Sequence, residues 1–192
     1  EIPGGATVAG TIGLVDVPFT RIENGCPTGG DTFRNACLGV ASGVYRVALV
    51  IGAEKMRDKP TGESLLGIAG QGHPIFTRGM LAPSMFAPQA IRHMHEFGTT
   101  KEQMALVAVK NHYNGSLDPY AHFKKPVTVE QVLQSPPVVY PLNLLDCCPQ
   151  TDGAAALIIC RADLARRYTD RPVYVAGFGV GCDYLYYTEK ES

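Results

Sequence analysis

Two aliphatic runs, residues 46–52, which are apolar after the leading Arg46, and residues 154–160, constrain the fold of this chain most strongly. Both are rich in aliphatic side chains, and neither alternates with polar residues. Such runs are typical of strands that are covered on both faces, as in parallel sheets flanked by helices. A helix that connects two parallel strands completes a right-handed βαβ unit. The sequence therefore predicts an α/β fold built on a mostly parallel, buried sheet.

Local patterns predict the remaining elements. Glycines 98 and 115 fit helix C-termini, and Thr100 to Gln103 reads as a capping box, the usual signature of a helix start. Apolar residues at helical spacing follow Pro27. Helices are expected near residues 6–15, 27–41, 84–97, 100–114, 129–134 and 162–168, and further extended segments at 17–22 and 173–178.

Composition excludes several classes of function. The 192 residues carry a net charge of -1, which gives no electrostatic basis for binding nucleic acid or an anionic membrane surface. No apolar run approaches the ~18 residues of a membrane span. The start at Glu1 shows neither an initiator Met nor a signal-peptide core. We expect a cytoplasmic protein whose true start is missing.

The six cysteines show no C-x-x-C pair and lie in apparently apolar elements. This pattern favours reduced thiols and offers no zinc-site spacing, so no metal site is predicted. Cys147 and Cys148 precede the second apolar run. We interpret these two adjacent residues as buried thiols rather than a redox pair.

Residues 23–30, with the sequence ENGCPTGG, hold the strongest candidate for chemistry. Pro27 suits the first position of a helix, which places Cys26 at or near its N-cap. The unpaired N–H groups and the positive end of the helix dipole favour a thiolate there. Such a thiolate can attack a carbonyl while the N–H groups hold the resulting oxyanion. A small buried cysteine remains the alternative.

Other candidate residues carry weaker signals. His112 lies late in a helix, and Met80 and Met85 follow a glycine-rich stretch. Structural roles compete with binding roles at all three positions. His73, in a Gly-His-Pro loop, is compatible with a pocket or with a solvent-facing turn.

Four stretches, taken in this order and spacing, resemble the thiolase superfamily and within it the sterol-carrier-protein or lipid-transfer type. They are residues 23–30, 46–56, 110–115 and 152–156. The resemblance implies a layered fold made of two similar halves, with a helical loop-domain insertion, usually in a homodimer. Residues 1–56 then correspond to the later part of the first half, and residues 57–146 correspond to the insertion. Residues 147–192 correspond to the last strand of the first half and the start of the second half.

The resemblance assigns the catalytic nucleophile to Cys26. It also implies that the insertion receives coenzyme A and the acyl chain, and Met80, Met85 and His112 lie in this part as candidate binding residues. Pro27 departs from the small residue usual after the nucleophile. The acid/base residues of the family belong to later motifs, so His73 does not take that role and the chain is expected to be part of a longer enzyme.

Three functions stay open at this point. The first is an acyl-CoA C-acyltransferase that cleaves or forms a 3-ketoacyl-CoA through an acyl-cysteine, with coenzyme A as substrate and no bound cofactor. The second is a retro-aldol lyase acting on a β-hydroxyacyl-CoA side chain. The third is a non-catalytic subunit that depends on a partner, for which the family offers a small protein with a zinc ribbon and an oligonucleotide-binding fold.

Overall fold

The computed structural model describes residues 4–58, 60 and 81–182. Helices and strands are mixed along the chain, which confirms the α/β class. In chain order they are α1 Gly4–Thr11, α2 Thr28–Ala41, β1 Val47–Glu54, α3 Ala82–Phe97, α4 Lys101–Leu117, α5 Val129–Gln134, β2 Pro137–Val139, β3 Leu142–Asn143 and β4 Gly153–Cys160, with 3₁₀ helices at Leu144–Asp146 and Ala162–Arg167.

Strands β1 and β4 pair with each other, and they do so in opposite directions. The Arg161 N–H, just after β4, donates to the carbonyl oxygen of Arg46, just before β1, at 3.1 Å. At the other end, the Asp152 carboxylate before β4 accepts from the Arg57 N–H after β1 at 2.9 Å. The prediction of a mostly parallel sheet is therefore wrong for this pair, because apolar content does not encode strand direction.

The same two strands are also less buried than their composition predicts. Within β1 only Val50 is buried, and no residue of β4 is. Ile158, for example, is 67% exposed. Burial of a strand on both faces requires elements packed against both, and the part of the chain that the structure describes does not supply them.

Two of the predicted strands do not form. Residues 17–22 and 173–178 have no regular secondary structure. A strand needs a neighbour for its backbone hydrogen bonds, and neither segment has one among the described residues. Val173 is 96% exposed. Without the strand at 17–22, the predicted βαβ unit through α2 is not formed here.

The helix ends follow local sequence signals well, with two corrections. Thr100 and Gln103 form the predicted capping box, and Gly98 ends α3 with a φ of 68°. Helix α2 begins at Thr28, so Pro27 is its N-cap rather than its first residue. Helix α4 continues through Gly115, where a Cβ would lie only 3.0 Å from the carbonyl oxygen of Phe123. Gly115 thus permits a close approach rather than ending the helix.

The described residues form two compact units. The first comprises residues up to Ala53 together with Ala154–Cys182, and the second comprises the described part of Glu54–Gly153. In the second unit, helices α4 and α5 pack through Ala105, Ala108 and Val132. No helix in the described ranges is long and apolar enough to cross a membrane.

The buried side-chain amide of Asn143 connects several elements of the second unit through hydrogen bonds. Asn143 is 6% exposed, and its Nδ2 donates to the carbonyl oxygens of Val132 at 3.2 Å and Leu133 at 2.7 Å. Its Oδ1 accepts from Lys101 Nζ at 3.3 Å. The side chain therefore caps the last carbonyls of α5 and links them to β3 and α4.

Replacing this amide should destabilise the protein. Asn143→Ala removes the Nδ2 donor of the Leu133 carbonyl oxygen, whereas the Val132 carbonyl oxygen keeps its hydrogen bonds from Ser135, and the loss of such a donor costs about 1–3 kcal/mol. Urea unfolding followed by circular dichroism measures the change. Asn114→Ala, on an exposed position of α4, is the matched control and should change stability by less than about 0.5 kcal/mol. Equal effects of the two substitutions would contradict the assignment.

Candidate active site

Cys26 lies exposed immediately before the N-cap of α2. Pro27 cannot donate a backbone hydrogen bond, and its fixed φ suits the entrance to a helix. Gly29 and Gly30, which follow Thr28, place no side chains on the rest of the first helical turn. The thiol therefore stands at the open end of the helix, where the helix dipole is positive.

A compact set of hydrogen bonds fixes the loop around Cys26. The Glu23 carboxylate accepts from the Gly25 N–H at 2.8 Å. The Thr28 hydroxyl donates to the Gly25 carbonyl oxygen at 2.6 Å, with the Glu23 carboxylate 3.2 Å away, and accepts from the Asn24 N–H at 2.8 Å. Gly25 adopts a φ of 60°, which glycine allows without strain. Residues on both sides of Cys26 are thus held to each other.

Glu23 is ionised within this loop. The hydrogen bond from the Gly25 N–H, followed by that from the Thr28 hydroxyl, lowers the pKa of the Glu23 carboxyl from its ordinary value. The charged form is the one that accepts these hydrogen bonds. The carboxylate can therefore accept both hydrogen bonds at neutral pH.

Three backbone N–H groups near the thiol have no acceptor in the part of the chain that the structure describes. None of the described residues accepts a hydrogen bond from the N–H of Cys26, Gly29 or Gly30. The next donors are already engaged: Thr28 N–H binds the Gly25 carbonyl, and Asp31 N–H binds the Pro27 carbonyl. Unpaired N–H groups at a helix start can bind a negatively charged oxygen.

An ion pair joins two of the motif stretches noted in the sequence. Lys55 Nζ donates to the Asp152 carboxylate at 2.5 Å and also pairs with Asp58 at 2.7 Å. The hydrogen bond from Lys55, and next that from the Arg57 N–H, lower the pKa of Asp152. Reciprocally, Asp152 and then Asp58 raise the pKa of Lys55. Sequence reasoning missed this contact, although each partner lay in a quoted motif.

The second unit contains a cavity of about 670 Å³. His112 lines it, together with Phe123, against which the imidazole stacks at 5.1 Å between ring centroids. The His112 Nδ1 is buried and has no hydrogen-bond partner among the described residues. The other lining residues include Met104, Val107, Asn111, His122, Leu142, Leu145, Asp146, Cys147, Cys148 and Thr151.

The remaining predicted residues are distributed as follows. Met85 lies half-buried in α3 and does not line this cavity, while Met80 and His73 lie outside the described residues. Cys147 is half-buried, and burial raises its thiol pKa. Cys148 is exposed, so the prediction of two buried thiols is wrong for it. No cluster of three metal-ligating side chains occurs in the described ranges.

Comparison with known proteins assigns the family. Residues 5–163 match the family model for the thiolase N-terminal domain. The chain belongs to the thiolase family. Acetyl-CoA acetyltransferase of Methanothermobacter thermautotrophicus is 46% identical over 168 residues, covering 88% of this chain and 44% of that protein. Sterol carrier protein 2 of Gallus gallus is 31% identical over 173 residues, covering 84% of this chain and 31% of that protein.

These thiolase relatives confirm the resemblance inferred from the four motif stretches, including its sterol-carrier-protein branch. The chain spans less than half the length of the relatives it matches. Among solved structures, an Ltp2-ChsH2(DUF35) aldolase is similar with a TM-score of 0.66 and 29% identity, over 84% of this chain and 42% of that chain. The thiolase-like fold therefore has support from sequence and from structure.

We expect Thr28 to hold the Cys26 loop through its hydroxyl. Thr28→Val keeps the shape of the side chain but removes the acceptor of the Asn24 N–H, so exchange of the Asn24 amide hydrogen should become about 3-fold faster or more. Thr28→Ser restores the hydroxyl and should restore protection. Amide exchange followed by NMR measures this. Unchanged protection in Thr28→Val would show that the hydroxyl does not hold the loop.

The Lys55–Asp152 pair should make stability depend on pH in a defined way. The pKa of Asp152 is lowered in the folded state, so its contribution is complete above the unfolded value near 3.9 and is lost as pH falls through the folded pKa. The pKa of Lys55 is raised, so its contribution is complete below about 10.4 and is lost as pH rises through the folded pKa.

Urea unfolding of wild type and Asp152→Asn over a pH series tests this. The difference in stability should be constant between about pH 5 and pH 9 and should shrink below about pH 4. Asp170→Asn, at an exposed carboxylate in the first unit, should show no such profile. A pH-independent difference for Asp152→Asn would show that the ion pair does not contribute.

Proposed function

We propose that this chain carries the nucleophile of a thiolase-type acyl-CoA C-acyltransferase, and that Cys26 is that nucleophile. The observation that carries the proposal is the exposed Cys26 thiol at the start of α2, in a chain of the thiolase family, beside N–H groups that have no acceptor among the residues described. The name of the relative from Methanothermobacter thermautotrophicus, acetyl-CoA acetyltransferase, supports the same reaction class.

The reaction proceeds through two covalent half-steps. The Cys26 thiolate attacks the 3-keto carbon of a 3-ketoacyl-CoA, the C2–C3 bond breaks, and its electron pair leaves with acetyl-CoA as an enolate that takes up a proton. The acyl group remains on Cys26 as a thioester. The thiolate of a second coenzyme A then attacks this thioester and releases the shortened acyl-CoA, which regenerates Cys26. The reverse sequence is a Claisen condensation.

Backbone donors near Cys26 fit the charge that develops in each half-step. Attack on a thioester or ketone moves negative charge onto the carbonyl oxygen, and fixed N–H groups stabilise it without reorganisation. The N–H groups of Cys26, Gly29 and Gly30 have no competing acceptor among the described residues. The Glu23 and Thr28 hydrogen bonds keep the loop that presents them in one conformation.

Proton transfer requires groups other than those described above. The family resemblance places the histidine and the second cysteine that shuttle protons in motifs later than residue 192. Acyl transfer between two thiols needs less assistance than the carbon–carbon step, because no carbanion has to be protonated. Exchange of an acetyl group through Cys26 is therefore the simpler reaction to observe.

Substrate binding in the second unit belongs to the same proposal. The cavity beside His112 is lined mainly by apolar side chains, as binding sites for organic ligands usually are. His112, Met80 and Met85 remain candidate contacts for the acyl-CoA. Coenzyme A acts as substrate, and the mechanism requires no bound metal or other cofactor.

An aldolase is the second candidate, and one observation favours it. The solved aldolase Ltp2-ChsH2(DUF35) is similar over 84% of this chain. A retro-aldol cleavage of a β-hydroxyacyl-CoA side chain needs a base but no acyl-cysteine, so activity would survive loss of Cys26. That structure also supports a partner subunit for this chain, including the case in which this chain is a non-catalytic component.

The larger assembly is proposed on the family resemblance alone. It comprises the layered two-half fold, the loop-domain insertion at residues 57–146 between segments 1–56 and 147–192, a homodimer and a cytoplasmic location. Analytical ultracentrifugation of the purified protein measures the oligomeric state. Co-purification with a zinc-ribbon protein would instead support the partner-dependent assembly.

Removal of the thiol should abolish acetyl exchange. The protein is incubated with acetyl-CoA and isotopically labelled coenzyme A, and label entering acetyl-CoA is measured. Cys26→Ala should reduce the exchange rate by at least about 1000-fold, because no covalent intermediate can form. Cys182→Ala, the matched control at another exposed cysteine that lines neither cavity, should exchange as wild type does. Exchange that persists in Cys26→Ala would exclude Cys26 as the nucleophile.

A further inference from the structure

A second cavity, of about 490 Å³, lies in the first unit and is lined by positively charged and phenolic side chains. The segment before β1 contributes Tyr45 and Arg46, and the segment after β4 contributes Arg167 and Tyr168. The other lining residues are apolar, and none is acidic. Two arginine residues therefore line one cavity, and no acidic residue lines it with them.

The backbone around this cavity is well fixed. The Arg161 N–H donates to the Arg46 carbonyl oxygen at 3.1 Å, which joins the two segments, and Leu164 anchors the 3₁₀ helix with only 6% of its surface exposed. The Tyr45 N–H donates to the Gly39 carbonyl oxygen at 3.0 Å. Its ring lies so close to α2 that a Cβ at Gly39 would be 2.7 Å from Tyr45 Cδ2. The Tyr45 ring therefore packs against the Gly39 backbone in space that a Cβ would occupy.

Neighbouring arginines are engaged, whereas the two that line the cavity are not. Arg161 binds the Asp163 carboxylate at 3.0 and 3.1 Å, and Arg166 donates to the Asp170 carbonyl oxygen at 2.9 Å. Within the described ranges, neither the Arg46 nor the Arg167 guanidinium has a hydrogen-bond or ion-pair partner. Since the whole chain carries a net charge of -1, this local excess of positive charge is not a general property of the protein.

We propose that the cavity bounded by Arg46, Arg167, Tyr45 and Tyr168 binds a phosphate-bearing anion. Guanidinium groups recognise phosphate oxygens through paired hydrogen bonds, and phenolic hydroxyls add further donors. A pyrophosphate group offers enough oxygens for both arginines. The anion has two possible sources, free phosphates and the phosphates of a nucleotide, whose base would stack on an exposed tyrosine ring. The site involves no residue of the Cys26 loop.

Isothermal titration calorimetry with inorganic pyrophosphate tests the proposal on the full chain. Wild type should bind with a Kd of about 1 mM or tighter. Arg46→Gln and Arg167→Gln should each weaken binding at least about 5-fold, since each removes a charged hydrogen-bond donor. Arg171→Gln is the matched control, because it makes the same change at an exposed position of the same unit outside the cavity. It should weaken binding less than about 2-fold.

Parallel titration with ADP distinguishes the two sources. Tighter binding of ADP than of pyrophosphate indicates a nucleotide, and equal binding indicates a free phosphate anion; both results support the site. Absence of pyrophosphate binding to wild type, or equal weakening by Arg171→Gln and the two cavity variants, would overturn it. Circular dichroism establishes that each variant is folded. Cys26→Ala should bind pyrophosphate as wild type does, so this proposal and the proposed acyltransferase fail independently.

Discussion

Backbone pairing between β1 and β4 is the constraint on which the rest of this structure depends. The two strands are separated by nearly one hundred residues of sequence, and bringing them together has a cost in chain entropy that grows only slowly with loop length. The pairing brings the residues that flank the strands into contact. At one end it joins Arg46 to Arg161, and at the other it places Lys55 beside Asp152.

Features that depend on neighbouring residues could be predicted from the sequence. The capping box at Thr100, the left-handed Gly98 at the end of α3 and the position of Cys26 before α2 all follow from a few adjacent side chains. In each case the backbone groups involved belong to the same turn. The alternatives available to such a turn are few, and the residue types choose among them.

Features that depend on distant residues could not be predicted in this way. Strand direction in the β1 and β4 pair, the exposure of Ile158 and the missing strand at residues 173–178 are set by what lies next to each segment in space. Gly115 shows the same limit at a single position: a helix-ending signal is overridden because the Phe123 backbone passes close to it. Apolar content predicts that a segment can be buried, but it does not identify the element that buries it.

The candidate site also combines features that neighbouring residues predict with features that depend on distant residues. Its proposed nucleophile, Cys26, stands out in the sequence because Pro27 and the glycines around it mark a helix start. The hydrogen bonds from Thr28 and to Glu23 require the folded loop, although both residues lie within the same short motif. The stacking of His112 on Phe123 and the cavity at Arg46 and Arg167 join residues with no common sequence signal. Local chemistry thus locates the site, and the fold supplies its surroundings.

We expect Cys26 to become acylated, and peptide-resolved mass spectrometry after incubation with acetyl-CoA would detect this directly. An added mass of about 42 Da, one acetyl group, should appear on the peptide that contains Cys26 and on no other cysteine peptide. An adduct confined to Cys148 or another cysteine, or a folded protein that acquires none, would contradict it.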